Sequence, residues 1–438
     1  MAKSSSIDIK LEVMEVQSSD VEIKLGGVMT ATKDSSPIDI KIGGTPMTNN
    51  EKPKFESLWS NLPGDVLISI VERLCYVHQI YFLAVCKDWR SKIYGLVRHS
   101  DKSPWILAAS NDEDTPPWKF VSNSNQCYLY DPIHKQKYTI ENQILDGAHI
   151  HASKFDWLLL STNIKSTYFF SFYSPFTNKV IELPALDMEI SSGKIFTDVR
   201  ATFSTAPTSS DCVICVVSTE PPKKEVSFIH SFFEEFCVSS CSPGGKTWNN
   251  VLLGTNGDRY CTWINSRIAH LDGVIYFTFI DVDSMWGVMG AFKPGLQEWK
   301  EYSYPIFSFA WCIDCLIESE EDENMFMLYY NGGRKTWNVC RFNKAEENWC
   351  VLENLGNRML FVSAISTSFQ LARSAKEDGE GIGSFENTIH VAYCYPGLEC
   401  SSFFHKTLDK HPSCPQIYNW IDKEGLSFTW IQPPNMNF

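Results

Sequence analysis

The chain has 438 residues, 44% of them hydrophobic and 13% aromatic, with a formal net charge of −14. That length allows two or three domains, or one large domain and a small one. The acidic balance argues against general nucleic-acid binding, which needs clustered Lys and Arg to replace counterions. No run of 18 or more apolar residues offers a membrane span, and the first twenty residues lack the basic start and apolar core of a secretory signal.

Fifteen cysteines are scattered without regular spacing. With no sign of secretion they read as buried thiols in a reducing compartment, the nucleus and/or cytoplasm.

Residues 1–57 form a segment poor in aromatics, expected to be a disordered tail. It carries three short repeats, at Ser5–Leu11, Ser18–Gly27 and Ser35–Gly44. Each repeat alternates apolar and charged residues, the period-two pattern of a half-buried strand with no partner of its own. Such strands suit the edge of a partner sheet.

Residues 58–98 change character. Pro63 suits a first helical turn, where a missing N–H costs nothing. Asp65 places negative charge at the positive end of a helix dipole. Val66, Leu67, Ile70, Val71 and Leu74 follow as one apolar stripe. Val85, Trp89 and Ile93 recur at i, i+4 and i+8, which predicts a later helix with those three on one face. Asp88 and Lys92 stand one turn apart on it, and Gly95 is a natural stop. A helical unit of this size rarely makes a self-sufficient core, so part of its apolar surface is expected to face another protein.

The run Leu62-Pro63-Gly64-Asp65-Val66-Leu67, the spaced Ile70 and Arg73-Leu74, and Val85-Cys86-Lys87-Asp88-Trp89-Arg90 resemble an F-box, and especially those of plant F-box proteins. Cys75 departs from the proline common after Arg-Leu in that family. The resemblance implies three helices that dock onto the Skp adaptor, and through it cullin, in a ubiquitin ligase. Carried over by position, it assigns docking and core roles to Leu62, Pro63, Val66, Leu67, Ile70, Leu74, Val85, Cys86 and Trp89. Leu62 and Pro63, at an exposed helix start, are the better contacts, whereas Trp89 and Leu74 suit an internal core.

From residue 100 to 438 the pattern is all-β: short runs rich in Val, Ile, Phe, Tyr and Trp, broken by Gly, Pro, Asn and Asp. A second repeat runs through them: an aromatic or apolar residue, a polar residue, usually Pro, a polar turn, and Trp seven positions after the start. Clear copies are Cys241…Trp248, Phe292…Trp299 and Phe342…Trp349. Looser ones begin at Tyr130 and Tyr173, and a degenerate one at Cys394. The last four starts, 241, 292, 342 and 394, are 51, 50 and 52 apart. A steady period of about 50 is that of kelch-type propellers.

Each unit reads as a strand, a tight turn and a return strand whose Trp packs between neighbouring sheets. Arranging such sheets around an axis buries their faces. The interval allows six or seven blades, with an internally duplicated β-sandwich as the alternative. The stretches Asn354–Ser363 and Phe428–Pro434 resemble the kelch-like domain of unknown function that follows the F-box in a large plant family. The last strand, Ser427–Ile431, is placed to close the ring against the first blade. The expected fold is therefore a small all-α F-box followed by an all-β kelch-like propeller.

Other motifs carry little chemistry. Gly244-Gly245-Lys246-Thr247 lacks the upstream glycine of a phosphate loop, since Ser240 stands there. Cys212 and Cys215, like Cys312 and Cys315, lie in strand-like runs that send i and i+3 to opposite faces, so they read as core thiols rather than zinc ligands. His149 and His151 would share one face of a strand, but without a companion cluster they read as surface or loop residues. The acidic run Glu318–Glu323 reads as a solvated loop. No metal or cofactor is expected.

The leading functional expectation is a non-catalytic substrate receptor of a Skp–cullin–F-box ubiquitin ligase, with the propeller holding an unidentified target protein. A scaffold that does not promote degradation, and an enzyme with its site in the propeller channel, are the alternatives.

Overall fold

A seven-residue spacing that ends on Trp is the signature of a hairpin with a four-residue turn. In the computed structural model Phe292 stands directly opposite Trp299, and Phe342 opposite Trp349, across antiparallel pairs. Tyr173 faces Val180 in the same way. The turns between them end on a left-handed residue: Asn178, Gln297 and Glu347 have φ of 53, 53 and 52°. In the fourth sheet the Leu296 amide donates to the Lys293 carbonyl at 3.1 Å and that of Gln297 to Pro294 at 3.3 Å. The repeat thus encodes one local object, the hairpin joining the two outer strands of a sheet.

The structure describes residues 62–71, 74, 78–79, 82–83 and 85–93, then the strands from 104 to 434 with most of their shorter connections. The repeats of residues 1–57, Cys75, Gly95, Cys312 and the copy at Cys394 lie outside the described residues. The helical residues and the strands fall in two separate compact units.

Six sheets make up the β unit among the described residues. The first joins Trp105–Ser110, Gln126–Asp131 and Gln136–Glu141 to the C-terminal Leu426–Ile431. Its closing pair is antiparallel, with Trp105 opposite Ile431 and Ser110 opposite Leu426, so the end of the chain does complete the first sheet. The second runs from His149–Lys154 through Trp157–Ile164 and Thr167–Ser174 to Lys179–Glu182. The third comprises Asp198–Phe203, Ile214–Thr219, Glu235–Cys241 and Asn249–Gly254.

In the fourth, Cys261–Trp263 and Ala269–Leu271 share the edge of Val274–Asp281, followed by Trp286–Lys293 and Glu298–Tyr304. The fifth is Cys315–Ser319, Asn324–Asn331, Thr336–Asn343 and Asn348–Val351. The sixth differs: Arg358–Ser363 pairs with Thr367–Leu371 on one side and runs parallel to Thr388–Ala392 on the other.

Neighbouring sheets touch all the way round. Innermost strands contact from the first sheet to the second, third, fourth, fifth and sixth, and Arg358–Ser363 meets Leu426–Ile431 to return to the first. That closed circuit is a propeller, and it buries apolar side chains between consecutive sheets. Leu159, Phe172 and Phe170 of the second meet Phe203, Ile214 and Val216 of the third. Val217, Phe236 and Val238 of the third meet Phe277, Phe279 and Val288 of the fourth.

Trp behaves as the repeat requires. The Trp299 ring lies 5.1 Å from Phe236 in the preceding sheet and 5.4 Å from Phe277 in its own. Trp248 sits 5.6 Å from Phe170 and donates its indole N–H to the Pro184 carbonyl at 2.8 Å. Trp299 is so close over Gly290 that a Cβ there would lie 2.0 Å from the ring. Trp430 closes the last gap, donating to the Val362 carbonyl at 3.1 Å.

Two segments reach beyond their own sheet. Phe120–Val121, between strands of the first sheet, pairs with the innermost strand of the second. Phe232–Phe233, between strands of the third, pairs with Cys261–Trp263 of the fourth. These exchanges add backbone hydrogen bonds to the side-chain packing between sheets.

Candidate functional site

The helical unit contains α1 (Gly64–Val71) and α2 (Lys87–Ile93), packed on each other. Pro63 stands just before α1 rather than inside it, and its carbonyl accepts the Leu67 amide at 3.2 Å. At the other end of α1 the buried Gln79 side chain donates to the carbonyls of Val71 at 3.0 Å and Leu74 at 2.8 Å. Those contacts satisfy acceptors that a helix end leaves open. Cys86 starts α2: its thiol accepts the Trp89 amide at 3.4 Å, as a capping side chain does. Lys92, expected beside Asp88, reaches the Leu62 carbonyl at 3.1 Å and so ties α2 to the entry of α1.

The core of the unit is Leu67, Val71, Leu83, Trp89 and Ile93, with Phe82 against Trp89 at a ring separation of 4.6 Å. The nine candidate residues divide around it. Leu67 and Trp89 are buried in the core. Leu62, Leu74 and Cys86 are half-buried. Pro63 is exposed, as are Val66 at 40%, Ile70 at 38% and Val85 at 61%. Val85 was expected on one helical face with Trp89 and Ile93; it lies before α2 begins, and its side chain points to solvent while theirs are buried. The stripe on α1 is likewise split, because Leu67 and Val71 turn inward and Val66 and Ile70 outward. Gln79 is the residue sequence reasoning missed. A polar side chain whose role is to close a helix end gives no periodic signal.

In the propeller, several motifs find their places. Gly244-Gly245 lies in the outer hairpin of the third sheet, where the Gly245 amide donates to the Ser242 carbonyl at 2.9 Å. Cys212 belongs to the core between the second and third sheets and Cys215 to the core between the third and fourth, so the two thiols face opposite ways. Burial pushes the Cys215 thiol up to about 12. His149 and His151 contradict the surface or loop expectation. Both lie on the innermost strand of the second sheet, their rings 4.1 Å apart. His151 is buried, its Nε2 2.7 Å from Ser161 Oγ.

The acidic run also departs from a solvated loop at its start. Glu318 and Ser319 belong to the innermost strand of the fifth sheet, and Glu318 forms an ion pair with Lys154. Asp322 pairs with Arg358. Next to Lys154, Phe155 and Asp156 turn the chain with φ of 53 and 71°, a mirror-type hairpin turn built without glycine. Asp156 accepts from Ser174 Oγ at 3.0 Å. Burial raises its carboxyl to about 6, although the Ser174 bond and Lys179 pull the other way.

A short helical unit of this pattern followed by a closed ring of sheets defines an F-box protein with a β-propeller. Residues 59–100 match the F-box domain, and residues 129–382 match the KIB1-4 beta-propeller. The chain belongs to that KIB1-4 beta-propeller family. Its relatives include F-box/kelch-repeat protein At1g57790 of Arabidopsis thaliana, 26% identical over 90% of this chain and 99% of that one. F-box protein At3g56470 of the same plant is 23% identical over 88% of this chain and 91% of that one. No helix among the described residues is long and apolar enough to cross a membrane.

Proposed function

We propose that this chain is the substrate-recognition subunit of a Skp–cullin–F-box ubiquitin ligase. The helical unit docks to the Skp adaptor, and through it to cullin, while the propeller holds a target protein. The chain itself makes and breaks no bonds. It raises the effective concentration of the target beside the ubiquitin-loaded partner.

The observation that carries this reading is the outward set Pro63, Val66, Ile70 and Val85 in a segment that matches the F-box. Four apolar residues exposed on so small a unit are better covered by a partner than left in water. Leu67 and Trp89 then support the surface from within, and Cys86 and Gln79 fix the helix ends that present it.

The test is capture of purified Skp adaptor by the full chain and by Val66→Glu/Ile70→Glu. Because both side chains are outside the core, the variant keeps its helical circular dichroism and loses at least about tenfold in affinity, the yield of roughly 1.4 kcal/mol or more. Unchanged capture by the folded variant refutes the docking role.

A further inference from the structure

The geometry points to an axial crossbar: Lys154 and Glu318, from sheets on opposite sides of the ring, meet across its axis, lock the ring and close that end of the channel. Order around the circuit is what makes this a crossing. Lys154 ends the innermost strand of the second sheet, and Glu318 lies near the end of the innermost strand of the fifth. Two sheets stand between them in either direction, the third and fourth one way and the sixth and first the other. In a closed ring of six, those positions are diametric. A side-chain ion pair between them has no path except through the middle.

The two intervening sheets contribute polar groups to the same bridge. Lys154 Nζ donates to the Phe203 carbonyl, at the end of the third sheet's innermost strand, at 3.0 Å. The His270 amide, on the fourth sheet's innermost strand, donates to Glu318 Oε2 at 3.3 Å. Both charged side chains are nearly enclosed, at 8% and 12% exposure. The turn after Lys154 is anchored as well, since the Phe155 ring packs 6.3 Å from Phe203. One cation and one carboxylate therefore link four of the six sheets at one level of the axis.

Two consequences follow. A buried ion pair is costly to break from one side, because the charge left behind is already out of water and loses its close counter-charge. The crossbar thus couples the second and fifth sheets, which among the described residues share no backbone hydrogen bonds and no side-chain core. It also denies a ligand passage along the axis at that end, which leaves recognition there to the loops around the rim.

The experiment compares the full chain with Lys154→Met, Glu318→Gln and Lys154→Met/Glu318→Met, by thermal unfolding and by hydrogen exchange. Each single variant is expected to lower the propeller's transition by about 5 °C. The double variant recovers most of that loss, since it removes both buried charges together. Glu318→Gln also speeds exchange in residues 149–154, on the far side of the ring. Single variants within about 1 °C of the parent, a double variant that loses as much as the two singles together, or exchange changes confined to the fifth sheet would each overturn the crossbar. If the single variants fail to fold, the double variant still decides: it folds if the pair acts as a unit and fails if it does not.

Discussion

The helical unit and the propeller treat apolar surface in opposite ways. The propeller turns its side chains into the gaps between consecutive sheets, and its closing strand completes the first sheet and meets the sixth. Trp248, Trp299 and Trp430 each reach across such a gap. Among its described residues the helical unit buries Leu67, Val71, Leu83, Trp89 and Ile93 and leaves Val66, Ile70 and Val85 in water. A ring of repeats supplies its own cover because each blade has two neighbours. The short helical unit has no such ring of neighbours, and Val66, Ile70 and Val85 stay exposed among its described residues. Both follow from the same requirement to bury apolar area, met within the chain by the propeller and, on the proposed function, by a partner for the helical unit.

The strongest way to break this contrast is to spoil a gap in the ring. Gly290→Leu drives a side chain into Trp299, whose ring already lies within 2.0 Å of where a Cβ would stand. A loss of about 3 kcal/mol or more is expected, because a well-filled interior has nowhere to move the indole. Chemical denaturation measures it, and a loss below about 1 kcal/mol shows that the gap is loosely packed. Within the helical unit, Leu67→Ala and Ile70→Ser sharpen the contrast. Leu67 is fully buried, so its truncation costs about 2–5 kcal/mol, whereas Ile70→Ser stays within about 0.5 kcal/mol. Equal losses for the two would mean that the outward face is part of the core after all.

The smallest effect is a pH slope in the propeller. The folded state raises the Asp156 carboxyl from its ordinary 3.8 to about 6, so it holds its proton more tightly than the unfolded chain does. Its contribution to stability is complete below about pH 3.8 and fades as pH rises through about 6. Asp156→Asn, which keeps an oxygen for Ser174 and tolerates the left-handed backbone, removes that fall. Denaturation midpoints of the parent and the variant at pH 4 and pH 6.5 report it. Parallel pH profiles for the two proteins would show that Asp156 is solvated in the folded state.

Much of the architecture was legible because it is local. The Phe292–Trp299 and Phe342–Trp349 spacings are the two sides of one hairpin, and a hairpin is set by turn length and backbone twist. The alternation that sends Cys212 and Cys215 to different cores is equally local. The F-box segment was legible as a pattern, with Trp89 inward and Pro63 outward, but the split of its α1 stripe was not. Val66 and Leu67 are neighbours with the same chemistry, and the packing of Leu83, Trp89 and Ile93 on one side of α1 separates them.

Order along the chain therefore determined the two-part plan and the hairpin repeat, because periodicity and turn chemistry act over a few residues at a time. Tertiary structure alone decided that His151 is buried, that Val85 stands outside its helix, and that Glu318 leaves the solvent for Lys154. The last two partners are about 160 residues apart and meet only when the sheets close into a ring. Nothing in the spacing of a Lys and a Glu announces that meeting, since it depends on where the backbone of every intervening sheet has been placed.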